Sequence, residues 1–142
     1  VLGICYERTY EGEPAMKLES IALKGREVLK LEPVIRGNAL DTTQMLVEVF
    51  ENRERYSKAD LAYSAHAYLA KGLSALAIEK GLENNVRNIG FSGGVACNEI
   101  LALTMRRIVE DHGLKFLVHE VIPPGDGGLA LGQAFAVNLS QF

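Results

Sequence analysis

The sequence has no tryptophan, two cysteines and four prolines, and only 7% of its residues are aromatic. Cys5 and Cys97 are too few for a disulfide framework or a four-cysteine zinc site, so both are expected to be reduced, small and buried. His66, His112 and His119 form neither an HxxH nor an HxxxH spacing, and no self-contained metal motif can be written from them. Apolar runs fall far short of the roughly 18–20 residues that span a bilayer, and Glu7 and Arg8 interrupt any signal-peptide core. No membrane segment is expected, and the reduced cysteines point to the cytoplasm. An excess of positive charge is also missing. Fifteen Lys+Arg against eighteen Asp+Glu give −3, which argues against a mainly electrostatic nucleic-acid partner.

What remains is a core-forming composition. The 142 residues are 48% hydrophobic and 23% charged, which suits a single domain over residues 1–142. Val1 stands in place of Met, and the sequence reads as beginning in mid-element. Val1–Tyr10 is readable either as a helix end or as a short strand. From Glu13 the pattern turns helical, with Pro14 in the first turn, Met16, Leu18, Ile21 and Leu23 as apolar positions, and Gly25 as the end. Lys30–Ile35, broken by Pro33, reads as an extended connector or edge strand. Asp41 with Gln44 predicts an N-cap ahead of Met45, Leu46, Val49 and Phe50. Ser57 with Asp60 announces a longer helix whose stripe runs Leu61, Ala65, Tyr68, Leu69, Gly72 and Leu76, with Gly81 as its stop. Residues from about 13 to 84 thus form a helical layer.

From about residue 85 the character changes. Val86–Phe91 predicts a strand, Val95 to His112 a helix, and Lys115–Val118 a second strand, with a last helix from about Leu129 to Val137. Strand–helix–strand at this spacing implies parallel strands and a right-handed crossover, so the fold class is helix-rich α/β with one βαβ unit and flanking helices. Parallel strands share a carboxyl edge. Ser92-Gly93-Gly94 and Gly125-Asp126-Gly127-Gly128 must therefore meet at one rim, each opening a helix, in the arrangement of a polyphosphate or nucleotide cradle. The bland alternative is that glycine pairs only turn the chain. Neither loop is GxGxxG or GxxxxGK(S/T). Asp126 reads either as a cation ligand among phosphate-binding amides or as the N-cap of the last helix. Asn98, about one turn into its helix, either bonds a ligand or caps locally. His66 is expected to be a satisfied, partly buried core histidine. His112 suits a helix C-terminus, and only His119 lies near the rim.

Three strings now stand out: Thr9–Glu19 (TYEGEPAMKLE), Phe91–Leu101 (FSGGVACNEIL) and Pro123–Ala134 (PPGDGGLALGQA). In this order they resemble the C-terminal end of the HypF carbamoyltransferases of nickel–iron hydrogenase maturation, over nearly the whole chain. The resemblance implies part of a sugar-kinase/Hsp70/actin-like module, built of RNase-H-like lobes with nucleotide and metal in the cleft. It implies that Ser92, Gly93, Gly94, Asn98, Gly127 and Gly128 bind ATP or carbamoyl-adenylate. Glu19 would accept from the ribose hydroxyls, beside Tyr10-Glu11-Gly12, and Asp126 would join a site for Mg, Zn or Fe. The implied reaction passes a carbamoyl group to a cysteine of a HypE-like acceptor. The HxxxH-like pair with which related modules complete their metal site has no counterpart here. The chain is therefore expected to be a C-terminal portion, inactive alone, with no catalytic residue of its own and with the missing lobe or a second copy in a homodimer as partner. Two other readings stand beside this one: a non-catalytic interaction module, and the O-carbamoyl or threonylcarbamoyl branch of the same superfamily.

Overall fold

The computed structural model describes residues 1–139. The last three residues of the βαβ segment lie outside the described residues. Five helices and two small sheets follow in the order α1 (Glu13–Ala22), β1 (Val34–Arg36), β2 (Ala39–Asp41), α2 (Thr43–Glu51), α3 (Lys58–Glu83), β3 (Asn88–Gly90), α4 (Glu99–Asp111), β4 (Lys115–Leu117) and α5 (Leu129–Leu139). β3 and β4 pair in parallel with Ile89 opposite Phe116, and α4 is the crossover between them. The chain is helix-rich α/β with a parallel two-stranded sheet.

α3 is the spine. Ser57 starts it by accepting the Asp60 amide at 3.1 Å, as the spacing predicts. Its 26 residues carry Leu61, Ala62, Tyr68 and Ala70, each at most 2% exposed. Burial extends past a single stripe because α1, the β1–β2 hairpin, α2 and α4 all pack on this helix. Leu29, Met45, Val49, Leu61 and Tyr68 form one cluster, beneath α2 and the hairpin. Ile78, Leu101, Met105, Val109, Leu114 and Phe116 belong to a second, in which α4 and the parallel strands meet α3. The small residues of α3 permit the close approach: Gly72 lies directly under the Leu40 side chain of β2.

Several boundaries differ from the sequence reading, each for a local reason. Of the two readings of Lys30–Ile35, the edge strand holds for its end: Val34–Arg36 pairs antiparallel with Ala39–Asp41 across Gly37, whose φ of 61° suits a two-residue hairpin turn. Asp41 ends β2 and does not cap α2. Thr42 holds the cap position without a side-chain bond, while Asp41 Oδ1 accepts the Thr43 amide at 2.8 Å. Gly81 sits inside α3, which runs on to Glu83 and is closed by Asn85 at φ 55°. Val95–His112 is not one helix: Gly94–Cys97 is a 3-10 turn and α4 begins at Glu99. Val1–Tyr10 is neither helix nor strand. Neither cysteine is buried; Cys5 is half-buried, and Cys97 is exposed on the 3-10 turn. Gly25 follows α1 by two turn residues and must be glycine, because a Cβ there would collide with the Ala59 carbonyl at the start of α3.

Candidate functional site

The two glycine loops meet. Phe91 extends the parallel pairing by donating to Leu117 O at 2.9 Å, and two residues later Gly93 N donates to Pro124 O at 2.8 Å. Gly93 has φ 93° and ψ 174°, a region that only glycine occupies without strain. Among the described residues, the amides of Gly94, Val95, Asp126 and Gly127 donate to no carbonyl or side chain. Gly128 N is spent on Gly125 O, and a Cβ at Gly128 would sit 2.6 Å from Pro123 O. Asp126–Gly128 forms a 3-10 turn that runs straight into α5. The rim thus offers two pairs of free N–H groups, one from each loop.

The N-terminus of α4, in contrast, is already filled. Asn98 is its N-cap rather than a residue one turn in, and Oδ1 accepts the Leu101 amide at 2.9 Å. Asn98 Nδ2 lies 3.1 Å from His66 Nε2, and His66 Nδ1 lies 2.8 Å from Ala62 O. With Nδ1–H donating to that carbonyl, Nε2 accepts from Asn98, and the 5% exposed histidine is satisfied at both nitrogens. Glu19, from α1, crosses the fold to accept the Glu99 amide at 2.7 Å. Its carboxylate occupies the positive end of the helix dipole, where the sequence reading expects a phosphate. Glu19 and Asn98 are therefore at the rim, but both side chains bond to the protein itself.

Beside them, Glu13 ties down the loop that carries Tyr10, Glu11 and Gly12. Oε1 pairs with Lys17 at 2.7 Å, and Oε2 accepts from the Thr9 amide at 2.6 Å and the Thr9 hydroxyl at 2.9 Å. The Lys17 bond first, and the Thr9 bonds after it, hold the Glu13 carboxyl down to about 2 from its ordinary 4.5. A depressed acid stabilises above its unfolded value and loses that contribution as pH falls through the folded one. The Thr9–Gly12 loop is expected to loosen between pH 4.5 and about 2, read as faster exchange of the Thr9 amide; Glu13→Gln should exchange fast already at neutral pH.

Asp126 makes no side-chain capping bond and is exposed. It is not the N-cap of the last helix, and its carboxylate faces solvent beside the free amides. Among the described residues no three His, Cys, Asp or Glu side chains gather to hold an ion, so this chain offers Asp126 as a single exposed carboxylate at the rim. His119 is the rim residue to which the sequence reading assigns no role. Its Nε2 lies 2.8 Å from Ser92 Oγ, and the signal was its position just beyond the second strand. His112 Nδ1 lies 2.7 Å from Ile108 O at the end of α4, away from the rim. Ser92 and His119 form the polar end of a groove of about 730 Å³ whose walls are Ile122, Pro123, Leu129, Leu131 and Phe135. α5 has no buried residue; Leu129, Leu131, Phe135 and Val137 are each more than half exposed. None of the described helices is long and apolar enough to cross a membrane.

Comparison with known proteins bears on this rim. Residues 1–133 match the family described as carbamoyltransferase, Kae1-like domain, second subdomain. The probable carbamoyltransferase HypF of Methanocaldococcus jannaschii is 36% identical over 99% of this chain and 18% of its own length. The carbamoyltransferase HypF of Rhodobacter capsulatus is 38% identical over 94% of the chain and 17% of its length. A tRNA N6-adenosine threonylcarbamoyltransferase of Thermococcus gammatolerans is 32% identical over 78% of the chain and 33% of its length. In the crystal structure of T. kodakarensis HypF, 18% of the protein superposes on 99% of this chain with a TM-score of 0.86 and 40% identity. The chain spans less than a fifth of the length of these HypF relatives. It belongs to the second subdomain of the Kae1-like domain of the HypF carbamoyltransferase family.

Proposed function

We propose that this chain supplies the phosphate-binding half of an ATP cleft in a HypF-type carbamoyltransferase. The observation that carries the reading is the pair of glycine loops joined by the Gly93–Pro124 bond, with the amides of Gly94, Val95, Asp126 and Gly127 left free on one rim. Unpaired backbone N–H groups in a loop held by a single bridge are suited to phosphate oxygens. Asp126 would repel such a ligand unless a cation lies between, so the ligand is a magnesium nucleotide whose Mg²⁺ arrives with the phosphates. Ser92 adds a hydroxyl donor. Asn98 and Glu19 act at one remove, by fixing the start of α4 behind the loop.

The reaction assigned to the complete enzyme follows the HypF resemblance. A cysteine thiolate of a HypE-like acceptor attacks the carbamoyl carbon of carbamoyl-adenylate; the carbon–sulfur bond forms as the carbon–oxygen bond to the phosphate breaks, and AMP leaves. The free amides hold the phosphate charge that develops on the departing group. We assign no nucleophile or base among the described residues, and the first subdomain of the same domain is the natural partner. The exposed apolar α5 and its groove form the surface for it, since a contiguous exposed apolar patch marks an interaction site. The threonylcarbamoyltransferase relatives match a shorter part of the chain, which favours the HypF branch.

Titration calorimetry of the chain with ATP and magnesium tests the reading. Saturable binding is expected, and Asp126→Ala should weaken it by about tenfold with magnesium present and not in excess chelator. Absence of any binding by the wild-type chain would refute the claim that the two loops suffice as a cradle.

A further inference from the structure

Ser92 and His119 are the two polar side chains where the groove meets the glycine loops, and they come from different loops. Ser92 follows β3 and His119 follows β4, so the contact of 2.8 Å bridges the same gap as the Gly93–Pro124 bond. Ser92 Oγ is also 3.4 Å from Pro124 O. A hydroxyl has one proton and must choose. With Nδ1 protonated, Ser92 donates into His119 Nε2 and its proton points away from any ligand. With Nε2 protonated, the ring donates to Oγ, and the serine proton goes to Pro124 O at 3.4 Å, on the second loop, or turns to an acceptor beside the Gly94 and Val95 amides. The pair is not a nucleophile: among the described residues no carboxylate bonds the other ring nitrogen to orient the imidazole as a base.

We infer that His119 is a positioning residue of the phosphate site: its Nε2, in contact with Ser92 Oγ, joins the two glycine loops and sets where the serine hydroxyl lies beside the free amides. This rests on the reading above for the ligand, and on the structure alone for the joining of the loops. The histidine touches no ligand in this arrangement. It acts through the hydroxyl and through the spacing of the loops. A polar side chain of similar reach can replace it, whereas an apolar one of similar size cannot.

The test uses the full chain with His119→Leu and His119→Gln, read by Mg·ATP titration and by amide exchange at Gly93. Expected are an about tenfold weaker affinity and faster Gly93 exchange in His119→Leu, with His119→Gln close to wild type in both. Unfolding midpoints of all three should agree within a few degrees, since His119 is exposed. If wild type binds and His119→Leu binds equally well, the inference is overturned and the nucleotide reading stands. If wild type does not bind, the nucleotide reading fails, and exchange decides alone: faster Gly93 exchange in His119→Leu than in His119→Gln upholds the loop-joining role, and equal exchange overturns it.

Discussion

Tyr68→Ala is expected to cost about 3–5 kcal/mol. The ring is 2% exposed on α3 and packs with Leu29, Met45, Val49 and Leu61. Its hydroxyl does further work at the hairpin. It donates to Asp41 O at 2.5 Å and accepts the Val34 amide at 3.0 Å, so one oxygen closes the far ends of β1 and β2. Tyr68→Phe keeps the packing and strands both backbone groups, at about 1–3 kcal/mol. Domains of this size are stable by only about 5–15 kcal/mol, so the alanine variant should lose a large share of the stability and the phenylalanine variant a smaller one. Urea titrations followed by circular dichroism read both. Equal losses for the two variants would mean that the hydroxyl, and not the ring, carries the site.

The second large effect is at Gly93. A valine there must hold φ 93° with ψ 174°, which costs of order 1–3 kcal/mol, or else move the loop. Movement breaks the bond to Pro124 O and swings away the free amides that follow. Gly93→Val is therefore expected to lower Mg·ATP affinity by about tenfold or more, a larger change than its loss of stability would suggest. Gly94→Ala is the control for the fold, because its added Cβ meets nothing within 4 Å. Calorimetry together with urea unfolding separates the two effects. Undiminished binding by Gly93→Val would mean that the loop conformation is irrelevant to the ligand.

The elements with local signals were legible. Ser57 and Asp60 gave α3 its start, Pro14 placed α1, and the strand–helix–strand spacing gave the parallel pair and hence the shared rim. An edge strand near Pro33 was one of two readings, but its hairpin partner Ala39–Asp41 was missed. The signal lay just beyond, in Gly37-Asn38 between Val-Ile-Arg and Ala-Leu-Asp. At the rim, Ser-Gly-Gly and Gly-Asp-Gly-Gly marked the loops but not which amides stay free. That depends on bonds between distant residues, such as Gly93 to Pro124, which no window of sequence contains. The same holds for Glu19 and Asn98. Residue type allowed both to bind a ligand, whereas the fold sets Glu19 on the Glu99 amide and Asn98 between His66 and Leu101. His119 gained its role in the same way, through a partner 27 residues away.

In the proposed cleft, two loops distant in sequence form one phosphate-binding face. Amide chemical-shift mapping by nuclear magnetic resonance during titration with Mg·ATP tests it most directly. The amides of Gly94, Val95, Asp126 and Gly127 are expected to shift together, along one saturation curve, while the start of α4 behind Glu19 and Asn98 moves little. Shifts confined to one loop, or centred on the groove wall of α5 with both loops silent, would contradict it.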